Sequence, residues 1–139
     1  MKEQRILAVD FGEKRIGLAI TDPLNIFAYP LKTLPNDSAF ISELKKIITE
    51  FSVTKIIMGY PLKESGEKTS ISKLVDSFKE EIEKSTSLKV EFVDERYSSD
   101  IAKQRILQSI PSKKKRRDKS LLDKNAAAVI LEDYLNSIH

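Results

Sequence analysis

The chain contains no cysteine and no tryptophan, and its single histidine, His139, is the last of its 139 residues. Without thiols it can form neither disulfide bonds nor thiolate zinc sites, and it has no cysteine nucleophile. These absences remove the nitrogen-rich and sulfur-rich metal sites from consideration. Any metal ion that the protein uses must therefore be held by oxygen atoms.

Long apolar runs are also missing. No run approaches the roughly 20 residues that a membrane-spanning helix needs. The first residues, from Met1 to Arg5, pass directly into a strand-like run and lack the apolar stretch of a secretory signal peptide. We therefore expect a cytoplasmic protein with no membrane association. A length of 139 residues with 40% hydrophobic residues suits one buried core, so we expect residues 1–139 to form a single domain.

Positive charge is concentrated in one short segment. The net charge is only +3, but the stretch from 113 to 119 holds six bases and one acid, so the rest of the chain is slightly negative. A polyanion would then be bound locally, with an affinity that falls as salt rises. A solvated loop without a function is the alternative that charge alone leaves open. The candidate nucleic-acid contacts in this stretch are Lys113, Lys114, Lys115, Arg116 and Arg117.

Apolar runs separated by turn residues predict the order β-β-β-α-β-α-β-α-α. Pro30 inside the third strand favours an edge position or a bulge. The residues from Asn36 to Ser38 are typical of the N-cap of the first helix. The order predicts a mixed sheet, antiparallel first and parallel later, with helices packed against it. The predicted strands cover about 6–9, 16–20, 27–33, 55–58 and 90–93, and the predicted helices cover about 40–51, 71–82, 98–106 and 120–138.

Asp123 lies in an unexpected place for a charged residue. On the last predicted helix it occupies the middle of the apolar stripe that includes Ala127 and Ile130. A carboxylate that points toward a core needs a cation, hydrogen bonds or a metal, or it must take up a proton. A structural role is the competing explanation, in which Lys119, an arginine or backbone amides near the helix start satisfy the charge.

Two other acids end predicted strands, Asp10 after the first and Glu95 after the last. Strand ends gather at one sheet edge, so these acids and Asp123 are predicted to meet there. Clustered carboxylates remain ionised mainly when divalent cations neutralise them, and oxygen ligands suit Mg²⁺ or Mn²⁺. Two such ions would activate a water and stabilise the leaving oxygen of a phosphodiester. Ordinary turn chemistry is the alternative for Asp10, and Asp94 rivals Glu95 because alternation sends the two to opposite faces.

Several groups near these acids are candidate phosphate ligands. Lys14 and Arg15 lie in or beside the predicted hairpin turn close to Asp10, and Arg96 could orient a carboxylate or the scissile phosphate. Plain surface charge is the alternative for each. The loop from 59 to 68 could meet a nucleic-acid backbone through main-chain amides, or it could be an ordinary loop. Aromatic residues make up only 7% of the chain and do not interleave with the basic run, so base stacking is not indicated.

Four segments together resemble one known family. Residues 8–19 (AVDFGEKRIGLA) closely resemble the opening motif of the YqgF/RuvX family of Holliday-junction-resolvase-like or pre-16S rRNA nucleases. Residues 58–62 (MGYPL) resemble its glycine-proline-leucine loop, and residues 94–99 (DERYSS) resemble its Asp-Glu-Arg motif. The stretch from 119 to 135 resembles its terminal helix. The segments occur in the family's order and span nearly the whole chain.

The resemblance implies an α/β, ribonuclease H-like fold with a mixed five-stranded sheet and helices on both faces. It places Asp10, Glu95 and Asp123 at the positions of a metal-binding and catalytic triad. It also connects the chain to processing of the 5′ end of pre-16S rRNA in ribosome biogenesis. The implied partners are precursor rRNA or branched DNA and a pre-ribosomal particle, and the implied state is a monomer or a weak homodimer.

Three classes of function remain open at this point. The first is a metal-dependent nuclease, acting on structured RNA or, as a close variant, on Holliday junctions and other branched DNA. The second is a non-catalytic nucleic-acid-binding factor for ribosome assembly, although a mere binder gains nothing from acids aimed at a polyanion. The third is a nucleotide-hydrolysing domain, because Asp10 and Gly12 in a hairpin also resemble the phosphate-binding hairpin of actin-like ATPases. The short chain disfavours this third class.

Overall fold

The computed structural model describes residues 4–61, 65–94 and 119–138. They form a single five-stranded sheet with three helices packed against it. None of the helices in these ranges is long and apolar enough to cross a membrane. The predicted helix near 98–106 lies outside the described residues. The strands are β1 (Arg5–Asp10), β2 (Arg15–Thr21), β3 (Ala28–Pro35), β4 (Val53–Tyr60) and β5 (Val90–Asp94), and the helices are α1 (Phe40–Phe51), α2 (Ser70–Thr86) and α3 (Lys119–Ile138).

The strands lie in the order β3-β2-β1-β4-β5. Strand β2 pairs antiparallel with both β1 and β3, whereas β4 pairs parallel with both β1 and β5. This arrangement confirms the predicted mixed sheet. Strands β1, β4 and β5 run in the same direction, so they end on the same side of the sheet, at Asp10, Tyr60 and Asp94. We call this side, where the three strands end, the carboxyl edge.

Pro30 lies in an edge strand that also carries a bulge. Lys32 of β3 pairs with Leu18, but the next pair joins Pro30 to Ala19, so Leu31 is an extra residue without a counterpart on β2. Proline has no N–H to donate to a sheet, and both an edge and a bulge tolerate that loss. The expectation from the sequence is confirmed in both of its forms.

The two faces of the sheet bury different helices because side chains alternate along each strand. Odd-numbered residues of β1, such as Leu7 and Val9, pack with α1 and α2. Even-numbered residues, such as Ile6 and Ala8, pack with α3. We call these the α1/α2 face and the α3 face. Helices thus cover both faces, and successive residues of a regular strand lie on opposite faces.

A polar network fixes the far end of α3. The Lys55 ammonium donates a hydrogen bond to the Tyr134 hydroxyl, and its Nζ lies 3.4 Å from the Glu91 carboxylate. The hydrogen bond to Tyr134 raises the pKa of Lys55, and the Glu91 charge acts in the same direction. Tyr134 follows Asp123 by eleven residues, about 16 Å along a helix. The network therefore helps fix the line along which α3 reaches the carboxyl edge.

The N-cap expected for α1 is wrong. The cap residue is Ala39, which makes no side-chain cap bond. The Asp37 carboxylate accepts a hydrogen bond from the Ala39 amide at 2.9 Å, which closes a local turn and does not cap the helix. Short polar side chains satisfy turns and caps by the same chemistry, so their sequence pattern does not distinguish the two.

Candidate active site

Asp10 is the last residue of β1 and lies directly opposite Gly17 of β2. By alternation it shares the α3 face with Ile6 and Ala8, both of which are buried against that helix. Asp10 itself is half-buried, so its carboxylate lies where the core meets the solvent. The first predicted acid is therefore at the carboxyl edge, on the face that α3 covers.

Gly17 brings α3 onto the sheet at this point. A Cβ atom built on Gly17 would lie 2.2 Å from the backbone carbonyl oxygen of Asp123, far inside van der Waals contact. Only a residue without a side chain lets the helix approach so closely. Residues paired across antiparallel strands have Cα atoms about 5 Å apart, so Asp123 lies one strand away from Asp10. The structure thus brings these two acids to the same edge and the same face.

The Asp123 carboxylate is engaged by an arginine. The Nε of Arg15 donates a hydrogen bond to Oδ2 of Asp123 at 3.0 Å. The Arg15 side chain is 37% exposed and that of Asp123 is 25% exposed. Asp123 therefore lies at the rim of the apolar stripe, and the arginine that contacts it comes from the β1–β2 hairpin. An arginine was one of the structural partners expected for Asp123, and this contact provides it. The Asp123 carboxylate nevertheless remains accessible to solvent.

The hairpin turn holds Arg15 in a defined place. A Cβ atom on Gly12 would lie 2.3 Å from the Arg15 carbonyl oxygen, so the turn is too tight for any other residue at position 12. The side-chain amide of Asn36 donates a hydrogen bond to the Gly12 carbonyl at 2.8 Å. The backbone N–H of Asn36 donates another to the Lys14 carbonyl at 3.0 Å. The Lys14 side chain is exposed beside this turn. The turn therefore holds Arg15 against Asp123 and leaves Lys14 exposed beside it.

Asp94 lies on the other face of the sheet. Phe92 packs with the α1/α2 face and Val93 with the α3 face, so alternation places Asp94 on the α1/α2 face, away from the face of Asp10. Asp94 pairs in register with Tyr60, another residue of the α1/α2 face. The remaining predicted site residues lie outside the described residues, and they are Glu95, Arg96, Lys113, Lys114, Lys115, Arg116 and Arg117.

The loop from 59 to 68 is described only in part, because residues 62–64 lie outside the described ranges. Gly66 has a φ of 88°, a conformation that glycine adopts at little cost. The Lys68 ammonium lies 5.9 Å from the centre of the Tyr60 ring, and the Tyr60 hydroxyl donates to the Asp76 carboxylate at 3.2 Å. The described part of the loop thus places one lysine beside the carboxyl edge.

The donor set at this edge fits a hard divalent cation. Asp10 and Asp123 offer carboxylate oxygens, the ligands that Mg²⁺ and Mn²⁺ prefer. Among residues 4–61, 65–94 and 119–138, no group of three acids or histidines is close enough to form a complete site. A complete site at these two acids would need further ligands from elsewhere in the chain, from substrate or from water.

Two residues that shape the site, Gly17 and Asn36, are not among the site residues predicted from the sequence. Gly17 interrupts an otherwise apolar strand, and a glycine inside a strand often marks a close backbone approach. The position of Gly17 inside a strand is visible in the sequence. Asn36 acts through hydrogen bonds to a turn more than twenty residues earlier in the chain. No local sequence pattern predicts such a contact.

We expect Gly17→Ala to destabilise the protein and to impair its activity together. The added methyl group would overlap the Asp123 backbone, so α3 would have to move away from β2. Overpacking of this kind costs about 1–3 kcal/mol of unfolding free energy. Urea unfolding measures that cost, and cleavage kinetics measure the displacement of Asp123. Unchanged stability and unchanged kinetics would show that the helix approaches the strand less closely than described.

Known proteins resemble this chain over nearly its whole length. The family described as RuvX: Holliday junction resolvase matches residues 4–137 of the chain. A protein of Chlorobium phaeobacteroides named "Putative pre-16S rRNA nuclease" is 42% identical over 135 residues, which cover 96% of this chain and 93% of that protein. A protein of Dictyoglomus turgidum with the same name is 40% identical over 137 residues, with coverages of 96% and 95%.

Two solved resolvase structures share the fold of this chain. The RuvC protein of Thermus thermophilus, in complex with a Holliday junction substrate, superimposes with a TM-score of 0.60 at 12% identity, covering 97% of this chain and 95% of that one. The fowlpox virus resolvase, in complex with Holliday junction DNA, gives 0.57 at 18% identity, with coverages of 97% and 99%. At these identities the similarity establishes the fold, which is the ribonuclease H-like fold of RuvC.

Proposed function

The chain belongs to the RuvX family, and from this premise we propose that it is a metal-dependent nuclease that cuts structured nucleic acid, foremost the 5′ end of precursor 16S rRNA. The observation that carries the proposal is the approach of Asp10 and Asp123 at one sheet edge, where Gly17 lets α3 contact β2. The names of the two relatives described above supply the substrate. A substrate of precursor rRNA would place the protein in the cytoplasm.

Asp10, Asp123 and Glu95 are the residues that we assign to hold the divalent cation, Mg²⁺ or Mn²⁺. When bound, such a cation neutralises charge on the phosphodiester and activates the attacking water. The protein's part is to fix the two described acids on rigid elements, one at a strand end and one on a helix seated against Gly17. Half-buried positions keep both acids accessible to a phosphate while limiting competition from bulk water.

The alternation along β5 supports Glu95 over Asp94 as the third acid. Val93 contacts the α3 face and Asp94 belongs to the α1/α2 face. Glu95 lies outside the described residues. A ligand on the α1/α2 face would be separated from Asp10 by the sheet itself. We therefore keep Glu95 as the proposed ligand and assign Asp94 no metal-binding role.

Basic residues are proposed to bind the substrate backbone. Arg15 contacts Asp123 and Lys14 is exposed on the same hairpin turn, and Arg96 follows the third acid in the sequence. The basic run from Lys113 to Arg117 precedes α3, whose beginning lies near the carboxyl edge. Phosphate contacts position a nucleic acid without reading its sequence, so we expect recognition of shape rather than of particular bases.

Neutralising the basic run should weaken binding and leave chemistry intact. Replacing all five bases from Lys113 to Arg117 with glutamine removes up to five phosphate contacts. The slope of the logarithm of affinity against the logarithm of salt concentration should then flatten by about 0.7–0.9 per lost contact. Filter-binding titrations at several salt concentrations measure this slope, and turnover at saturating substrate should be retained.

A matched control removes the same number of charges from the exposed surface near α1 and α2. Its substituted residues are Lys45, Lys46, Lys73, Lys84 and Lys89, all exposed. This control should change the slope less than the basic-run variant does. Loss of turnover at saturating substrate in the basic-run variant would contradict a purely electrostatic role.

The function is tested by a cleavage assay that compares precursor 16S rRNA with a four-way DNA junction, with and without Mn²⁺ or Mg²⁺. The expected result is cation-dependent cut ends in the rRNA, absent with Asp10→Asn. Preferential cutting of the junction would favour the second candidate, a resolvase, which the family's description names. Resolvase action on both strands would need paired active sites and hence a dimer.

Binding of precursor rRNA without any cutting would point to a non-catalytic assembly factor. Such a factor would bind pre-ribosomal particles equally well with and without the Asp10 carboxylate. Sedimentation of the protein with pre-ribosomal particles measures that partnership. Analytical ultracentrifugation of the free protein tests the expected monomer or weak homodimer.

A further inference from the structure

The ion pair between Arg15 and Asp123 places a cation where the proposed metal site needs a free carboxylate. We propose that Arg15 is a resident counter-ion, which neutralises Asp123 until a divalent cation displaces it and which is then free to bind a phosphate of the substrate. This inference rests on the proposed function, because it concerns regulation of the same site. It makes Arg15 a positioning residue that competes with the metal ion.

A counter-ion is useful here because Asp10 and Asp123 both lie at the carboxyl edge of the sheet. Like charges brought into one site repel each other. The Arg15 Nε lies 3.0 Å from Oδ2 of Asp123 and offsets part of that repulsion. The carboxylate is thereby held in place for a cation that takes the position of the guanidinium. Without a resident cation, repulsion between the acids would oppose the close packing of α3 on β2.

Exposure makes the pair exchangeable. Buried ion pairs are difficult to break, because each partner would be left as an uncompensated charge. The side chains of Arg15 and Asp123 are 37% and 25% exposed, and ion pairs with access to solvent contribute little net stability. A divalent cation with several oxygen ligands can outcompete such a contact. The pair is thus strong enough to orient the carboxylate and weak enough to be displaced.

Exchange requires no movement of the backbone. Asp123 is fixed because its carbonyl contacts Gly17, and Arg15 is fixed because Gly12 and Asn36 lock the hairpin turn. The long arginine side chain is the mobile part, and side chains change rotamer within nanoseconds at exposed positions. The guanidinium also has N–H donors on its terminal nitrogens, a geometry that suits phosphate oxygens. Displaced from Asp123, Arg15 would remain within reach of the scissile region.

A purely structural role for Arg15 makes a different prediction. If Arg15 only joins β2 to α3, its removal should lower stability and leave metal affinity unchanged or weaker. If Arg15 competes with the cation, its removal should make metal binding tighter in the absence of any nucleic acid. Metal affinity of the free protein therefore distinguishes the two roles, whereas activity alone does not.

The test is a calorimetric titration of the full chain with Mn²⁺, without nucleic acid, for the wild type, Arg15→Gln and Lys14→Gln. Lys14 is the matched control, because it is adjacent, exposed and equally charged. We expect Arg15→Gln to bind Mn²⁺ about two- to fivefold more tightly than Lys14→Gln does, which is the range expected for loss of one exposed ion pair. Equal or weaker binding by Arg15→Gln than by Lys14→Gln would overturn the proposal.

A second measurement is made on the unaltered chain, with Asp123→Asn as its control. In a nitrogen-15 NMR spectrum, the Nε–H signal of Arg15 should shift as Mg²⁺ is added, because the hydrogen bond to Asp123 is lost. The same addition should leave that signal unshifted in Asp123→Asn. If the Arg15 Nε–H signal of the wild type does not shift with Mg²⁺ although calorimetry detects Mn²⁺ binding, the Arg15 proposal alone would be overturned. Absence of any Mn²⁺ binding by the wild type would overturn the proposed metal site together with it.

Discussion

Asp123→Asn is expected to abolish cation-dependent cleavage while the protein stays folded. Asparagine keeps the shape of aspartate but removes the charge that the proposed cation needs. The contact between α3 and Gly17 uses the backbone carbonyl of residue 123, so it survives the substitution. Loss of several kcal/mol of transition-state stabilisation corresponds to a decrease in kcat on the order of 10³-fold. Single-turnover cleavage kinetics measure it.

The matched control is Asp133→Asn, the same substitution on an exposed residue of the same helix. It should cleave at nearly the wild-type rate. Circular dichroism and thermal unfolding of both variants separate a chemical defect from a folding defect. Full activity of Asp123→Asn would show that its carboxylate serves only as the ion-pair partner of Arg15.

Glu95→Gln and Asp94→Asn should differ sharply although the two residues are adjacent. Glu95→Gln should lower kcat by a factor on the order of 10² or more, since loss of a ligand weakens charge stabilisation at the reacting phosphate. Asp94→Asn should stay within about threefold of the wild type, because Asp94 belongs to the face of the sheet away from Asp10. Parallel cleavage assays with the two variants give the comparison directly.

Each variant serves as the control for the other, because both remove one negative charge at almost the same place in the chain. General changes in electrostatic attraction of the substrate therefore cancel in the comparison. A severe defect in Asp94→Asn with normal turnover in Glu95→Gln would reverse the assignment. It would mean that the strand alternation ends before residue 94.

The sheet could be predicted from the sequence because its signals are local. Apolar runs closed by turn residues identified all five strands, and the order of strands and helices predicted the change from antiparallel to parallel pairing. Pro30 predicted an edge or a bulge, and both are present. These features depend on neighbours in sequence, for which residue types carry direct physical information.

The details of the site depended on distant contacts and could be predicted only in part. Arg15 and Asp123 are 108 residues apart, so the identity of the cation near Asp123 was open until the fold brought them together. The choice between Asp94 and Glu95 required knowledge of which face each helix covers. The prediction of the α1 N-cap was wrong for a different reason. The Asp37 side chain closes a turn with the same hydrogen-bonding chemistry that a cap would use.

The central claim is that Asp10 and Asp123 share a divalent cation, and a double-mutant cycle on Mn²⁺ affinity tests it most directly. Free Mn²⁺ is measured by electron paramagnetic resonance for the wild type, Asp10→Asn, Asp123→Asn and the double variant. Residues that act on one ion are not additive, so each single substitution should remove most of the affinity and the second should add little. Independent, additive losses, or affinities equal to that of the wild type, would contradict a shared site.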